Sequence, residues 1–370
     1  MLQKIREFVK KEAVLCIAAL CAIVTMFFVP PDIHYLEYID FRVLCLLLCL
    51  MAVVAGFKSV GVFGWLTYQM LRRTRSGRVL GVLLVLLPFF SAMLVTNDVA
   101  LIVFIPFTLG LLEQLKCRRA IPVIVLQTIA ANLGSMATPV GNPQNLYLYG
   151  FFNMAPGDFF SVTLPLTAVS FIALVLASLP LLPKQLQEQQ LEDSAISSGR
   201  HLAVYGGLFA LCLLTVFRVI PYPVTTLVIV VLLFLLDRSL LKEIDFILLV
   251  TFVCFFIVSE NLGRIEAVRN FLQTLLGHST LLTAVGSSQV ISNVPAAVLL
   301  SGFTDQWREL LAGVNIGGLG TPVASLASLI TMKTYAGWKD SNVGTFLGFF
   351  TLANILGLAI LLGYVFVFGI

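Results

Sequence analysis

The sequence predicts an all-α polytopic membrane protein of two inverted repeats, each with a re-entrant helical hairpin and a broken transmembrane helix. Three observations lead there. Apolar residues make up 59% of the 370 and charged residues 11%, with a mean hydropathy of +1.00, more hydrocarbon than a soluble core needs. Several apolar stretches are too short for a hydrocarbon core that takes ~20 helical residues, and they come in pairs. One polar run is written twice. Asn132–Asn145 reads Asn-Leu-Gly-Ser-Met-Ala-Thr-Pro-Val-Gly-Asn-Pro-Gln-Asn, and Asn315–Ser328 reads Asn-Ile-Gly-Gly-Leu-Gly-Thr-Pro-Val-Ala-Ser-Leu-Ala-Ser. Asn132 aligns with Asn315, Gly134 with Gly317, and Thr138-Pro139-Val140 with Thr321-Pro322-Val323, without a gap.

In chain order, apolar spans fall at about 13–29, 41–57, 79–95, 99–112, 120–150, 159–182, 202–217, 224–236, 246–259, 280–291, 294–303, 308–332 and 343–369. Met1–Glu12 is a basic start, and Pro30-Pro31 follows the first span without a small-residue cleavage site, so that span reads as a retained helix. The pairs at about 79–112 and 280–303 are each joined by a tight polar turn, Thr96-Asn97-Asp98 and Ser292-Asn293. They read as hairpins whose tips stop near the midplane. The spans at about 120–150 and 308–332 hold the repeated polar run and read as broken helices, because backbone freed from helical hydrogen bonds survives at that depth only when buried in protein or lining a polar cavity.

Ile39-Asp40-Phe41 and Ile244-Asp245-Phe246 open equivalent spans, followed by interfacial segments over 58–71 and 263–276. Residues 1–182 therefore form a first repeat and 224–370 a second. Residues 183–223 are a linker with one extra transmembrane helix, and Lys184–Arg200 is the long polar part of it. Five crossings separate the two repeat starts (13–29, 41–57, 120–150, 159–182 and 202–217), since a hairpin returns to its own side. Five is odd, so the second repeat is inverted. With the N-terminus cytoplasmic and the C-terminus outside, only Arg42, Arg218, Arg264, Arg269 and Arg308 fall on the outer side, which leaves 18 of 23 Lys and Arg inside.

The second arm of each hairpin starts at its tip, with Asn97 and Asn293 placed as N-caps. Asn142-Pro143 and Thr321-Pro322 read as an N-cap followed by proline at the first helical position. Four helix N-termini then meet near the midplane, each with unpaired N–H groups and about half a positive charge, a setting that favours an anion. Unwound carbonyls are the complementary place for a coupling cation, and paired broken helices are the sequence pointer to a transporter's binding site. Asp98 is the one carboxylate placed at that depth: a Na⁺ ligand or proton carrier, or a residue neutralised in the first turn of a helix. Gly134, Gly317, Gly318 and Gly320 serve either the break or close helix packing. Glu260, at an outer boundary, reads as a solvated helix end.

The seven cysteines contain no Cys-x-x-Cys and read as packing residues. His34, His201 and His278 lie far apart in loops or boundaries, and no His-Glu-x-x-His or phosphate-binding Gly-Lys-Ser/Thr motif occurs. The chain is therefore not read as an enzyme. A passive channel is the better competitor, because polar interruptions also line pores.

Thr96-Asn97-Asp98-Val99-Ala100, the run Asn132–Asn145 and Ser292-Asn293-Val294-Pro295 resemble the ion transporter superfamily, which holds citrate and dicarboxylate transporters, arsenite permeases and NhaD-type antiporters. The likeness is nearest to the YbiR-like inner-membrane proteins and covers nearly the whole chain. It implies an elevator mechanism, a homodimer and a bacterial inner-membrane location. The dicarboxylate transporters carry Ser-Asn-Thr at both tips, for substrate carboxylates and Na⁺. Here the third positions are Asp98 and Val294. The added charge points to stronger cation or proton coupling, or to a less charged substrate.

The expected function is a secondary transporter of a small anion, carboxylate or oxyanion, coupled to Na⁺ or H⁺. A Na⁺/H⁺ antiporter and an arsenite or other oxyanion exporter are the alternatives. The candidate substrate residues are Asn97, Asn142, Asn145, Ser292, Asn293, Thr321 and Ser325. The candidate coupling-ion residues are Thr96, Asp98, Asn132, Gly134, Thr138, Asn315 and Gly317, with Na⁺ at Asp98, Asn132 and Asn315. The expected partners are the substrate anion, the lipid bilayer and a second copy, with no nucleic acid and no cofactor besides the coupling ion.

Overall fold

A computed structural model describes residues 12–71, 76–115, 117, 119–183, 195–339 and 341–370. Lys4, Arg6, Lys10, Lys11, Arg72, Arg73, Arg75, Lys116, Arg118 and Lys184, which entered the charge count, lie outside the described residues, as does most of the polar linker. The described chain is helical throughout, with seventeen α-helices, three short 3-10 helices and no strand.

The first half runs α1 (Ala13–Met26), α2 (Phe41–Ser59), α3 (Val62–Leu71), α4 (Gly77–Ser91), α5 (Asn97–Gln114), α6 (Ala120–Ser135), α7 (Pro143–Phe151) and α8 (Pro156–Ser178). A linking helix, α9 (Gly199–Val216), follows. The second half runs α10 (Tyr222–Leu236), α11 (Phe246–Arg264), α12 (Glu266–His278), α13 (Thr280–Ile291), α14 (Asn293–Ser301), α15 (Trp307–Ile316), α16 (Leu326–Ala336) and α17 (Val343–Phe368). The element order of one half thus recurs in the other. The same side chain starts two equivalent helices: Asp40 accepts from Val43 N–H at 3.0 Å and Asp245 from Leu248 N–H at 2.9 Å.

Six helical stretches among the described residues are long and apolar enough to cross a membrane: Ile33–Ser59, α5, α8, α9, α11 and α17. One of them, α5, was expected as a hairpin arm over 99–112. It starts at Asn97 and runs to Gln114, so by length and composition it is no shorter than a span. By contrast α7, α14, α15 and α16 have 9, 9, 10 and 11 residues, far short of a crossing. Leu352, Ile355, Leu356 and Ile360 on α17 and Leu227 and Leu235 on α10 are exposed, an apolar outer surface that water does not tolerate and lipid does.

Packing repeats as well. The first arm of each pair lies on the first half of the following broken helix, α4 on α6 and α13 on α15, and the second arms α5 and α14 lie on the same two helices. Two sets of contacts run crosswise between the halves. The second piece of each broken helix packs on the other half's second arm, α16 on α5 and α7 on α14, and α1 packs on α11 as α10 packs on α2. These crossed contacts bring the two breaks face to face.

Close approach explains two of the repeated glycines. A Cβ on Gly134 would run into the Phe89 carbonyl of α4, and one on Gly317 would sit 2.7 Å from Ser288 Oγ of α13. Each break begins where its helix is pressed on a hairpin arm.

Candidate functional site

The breaks form as the asparagine-proline signal directs, with one difference. Helix α7 begins at Pro143 with Asn142 as N-cap, whose Oδ1 accepts from Asn145 N–H at 2.9 Å. At the second break, Pro322 opens only a single 3-10 turn over Pro322–Ala324, and α16 starts at Leu326 with Ser325 as its N-cap. The expected cap at Thr321 is therefore displaced from the α-helix by four residues. The hairpin tips are offset by one. Thr96 and Ser292 hold the N-cap positions, Asn97 and Asn293 are the first helical residues, and neither cap position makes a side-chain capping bond. Asn97 Oδ1 instead accepts from the next N–H, that of Asp98, at 3.0 Å, which leaves its Nδ2 for a contact outside its own turn.

The polar contacts form two sets, joined where Ser135 Oγ donates to the Asn132 carbonyl at 2.8 Å. Asn97 Nδ2 donates to Asn132 Oδ1 at 2.9 Å, and Ser325 Oγ donates to the same oxygen at 2.9 Å. Asn132 Nδ2 reaches the Gly318 carbonyl at 3.5 Å. In the second set, Asn142 Nδ2 donates to Asn315 Oδ1 at 3.3 Å and to Ser135 Oγ at 3.0 Å, while Asn315 Nδ2 donates to Asn145 Oδ1 at 2.7 Å. Asn132 and Asn315 thus each reach the opposite break ten positions into the aligned run, Ser325 in one case and Asn142 in the other. The tips close on the same loops. Asn97 N–H donates to the Gly141 carbonyl at 3.2 Å, and Ser292 Oγ donates to the Ala324 carbonyl at 3.3 Å.

Asn97, Asn132, Asn142, Asn145, Ser292, Asn293, Asn315 and Ser325 are all buried. Thr138 is half-buried, its hydroxyl donating to the Met93 carbonyl just before the first tip. Thr321 stands apart. It is exposed, its N–H donates to Gln289 Oε1 at 2.9 Å and its hydroxyl to the Gln289 carbonyl at 3.0 Å. Asn293 does not bond to Asn315 as Asn97 bonds to Asn132; its amide nitrogen lies beside Gly318, and its Oδ1 faces Ser292 Oγ at 3.5 Å.

None of these residues is a cation. Asp98 supplies the one carboxylate, with Oδ1 buried and without a partner. Asn132 Oδ1 already accepts two donors, so a cation held there would have to displace Asn97 or Ser325, whereas Asn315 Oδ1 accepts one and keeps a lone pair. Asp98 Oδ1, which has no partner, also needs no such exchange.

Sequence reading missed Gln289, whose Nε2 donates to the Gly317 and Leu319 carbonyls, both at 2.9 Å, and ties off the second break. It also missed Gln127, which takes the Leu84 carbonyl at 2.8 Å. Pro88 lacks the N–H that would have served Leu84 four residues back, so the glutamine replaces it. The available signal was an amide inside an otherwise apolar arm or broken helix.

Comparisons with known proteins agree on the kind of molecule. The citrate transporter family model matches residues 2–305. An uncharacterized transporter of Methanocaldococcus jannaschii is 30% identical over 343 residues, 92% of this chain and 93% of that one. The inner membrane protein YbiR of Escherichia coli is 33% identical over 303 residues, 80% of each chain. A silicon efflux transporter of rice, LSI3, shares 32% identity over 142 residues, 38% of this chain and 26% of its own. Among solved structures, the YdaH transporter of Alcanivorax borkumensis, described as having an unusual topology, superposes with a TM-score of 0.59 at 17% identity, covering 91% of this chain and 88% of that one. The protein is a polytopic membrane transporter and not an enzyme, and it belongs to the citrate transporter family of the ion transporter superfamily.

Proposed function

We propose that the chain is a secondary active transporter of a small anion, carboxylate or oxyanion, coupled to Na⁺ or H⁺. The observation that carries this reading is the crossed asparagine network. Four helix starts, those of α5, α7, α14 and α16, are joined through buried amides and hydroxyls with no lysine or arginine among them. Helix N-termini and rotatable amides suit an anion, and Asp98 suits the cation that accompanies it. On this reading residues 1–182 and 224–370 are inverted repeats, and the hairpins and broken helices form a part that moves as an elevator against a dimeric scaffold. The expected setting is a bacterial inner membrane with the N-terminus cytoplasmic.

A second reading, the Na⁺/H⁺ antiporter, is favoured by one feature: the one ionisable side chain in the cluster is a carboxyl, that of Asp98. A thermal-shift panel on the purified protein separates the two. It would hold dicarboxylates, citrate, sulfate, phosphate and arsenite, each with and without Na⁺. A ligand that binds only the folded state stabilises it by ~2.7 kcal/mol at a hundredfold over its dissociation constant. An anion effect that requires Na⁺ supports symport. Stabilisation by Na⁺ alone, lost as pH falls, supports the antiporter.

A further inference from the structure

The side chains between α5, α6 and α16 are polar where a membrane interior favours hydrocarbon. Thr108 on α5, Gln127 and Thr128 on α6, and Ser328 and Thr331 on α16 are each exposed by 1% or less. Gln127 Nε2 donates to Thr108 Oγ1 at 2.8 Å, and the hydroxyls of Thr128 and Thr331 meet at 2.8 Å. This seam begins one helical turn from Asn132 and Ser325, the members of the asparagine cluster on the same two segments. It leads toward the far ends of α5 and α16, where Glu113 pairs with Lys339 and Lys333 is exposed.

Two oxygens in the seam have no partner, Gln127 Oε1 and Ser328 Oγ. Turning the glutamine amide over does not rescue the first. The Leu84 carbonyl only accepts, which fixes the amide nitrogen on it and leaves Oε1 as the free end. The serine departs from its neighbours. Thr128 and Thr331 each have the carbonyl four residues back within hydrogen-bond distance, as helical hydroxyls do, but the carbonyl four back from Ser328 is that of Ala324, which accepts from Ser292. Buried acceptors of this kind need a donor. The five seam residues include no carboxylate to balance a metal cation, so a charged occupant would be costly and a neutral donor is required. Water has the chemistry required: it can donate to an oxygen such as either of these and accept from a hydroxyl.

We propose that the seam between α5, α6 and α16 binds a chain of ordered water that conducts protons between the asparagine cluster and one membrane face. The conducting role rests on the proton-coupled form of the function proposed above; the water does not. Each hop forms one O–H bond and breaks another, so the chain returns to its starting composition. The titratable groups that bear on it are Asp98 at the start of α5, and Glu113, Lys339 and Lys333 at the other end.

X-ray radiolytic labelling of the full chain in nanodiscs reads bound water directly, because buried side chains beside it oxidise and dry ones do not. Leu109, Leu126 and Leu329, next in sequence to seam residues, are expected to be labelled, and Thr108→Val with Ser328→Ala to lose that labelling. An unlabelled seam in the folded wild type overturns the proposal. Proton flux into proteoliposomes is expected to fall several-fold in Thr108→Val and in Ser328→Ala, both small changes that preserve packing, with the Na⁺ thermal shift unchanged. A wild type that moves protons and variants that move them equally well overturn the conducting route alone. A labelled wild type that moves no protons overturns the proton-coupled reading together with the route.

Discussion

Asn132 holds two donors from two different segments on one oxygen, Asn97 from a hairpin tip and Ser325 from the opposite break. Asn132→Leu leaves both buried donors unpaired, at about 1–3 kcal/mol each. The expected outcome is a lower melting temperature together with loss of transport, read by thermal unfolding and by uptake into proteoliposomes. Asp98 calls for the opposite design, since Asp98→Asn keeps the shape and removes only the charge. Transport by this variant should lose its dependence on Na⁺ or pH, and an unchanged cation and pH profile would reduce Asp98 to a residue of the first helical turn. The sequence made the candidate residues visible but not their partners. Asn142 was readable as a cap because asparagine-proline sets both the cap and the first helical position. Asn97 and Asn293 were offset by one, because the backbone of the preceding Thr96 and Ser292, extended in one case and left-handed in the other, takes the cap position.

At the scale of the helices, the breaks depend on how closely arm and broken helix approach. Gly134→Ala drives a methyl into the Phe89 carbonyl, a backbone atom that cannot rotate away, so a loss of about 1–3 kcal/mol is expected from overpacking. Thermal unfolding measures it, and a variant as stable as the wild type would mean that α4 and α6 can separate freely. Gln127→Leu tests the other support. It leaves the Leu84 carbonyl without a donor beside Pro88, a penalty of about 1–3 kcal/mol, and replacing Pro88 with alanine in the same chain should recover part of it by restoring the helical bond. Such pairings were beyond sequence reading. Nothing local joins Gln127 to Leu84, forty-three positions away, whereas the 3.6-residue pattern and the proline signals are local and were legible. Helix α5 shows the same boundary from the other side: its apolar run was visible, and its full eighteen residues were not.

For the molecule as a whole, membership of the family and the helical architecture were legible because membrane composition and a repeated fourteen-residue run survive without any knowledge of contacts. The crossing of the two halves was not, since it depends on α16 lying on α5 and α7 lying on α14. That crossing bears on assembly. Neither half of the chain holds a complete asparagine network, because Asn132 needs Ser325 and Asn315 needs Asn142 and Asn145. Cutting the gene within the polar stretch that follows Leu182 should therefore yield two fragments that are inert when produced singly. Produced together, they should regain ligand-induced stabilisation in proportion to the scarcer fragment. Activity would then behave as a bimolecular property of two polypeptides, a titratable quantity in the cell, although in the intact chain it belongs to one.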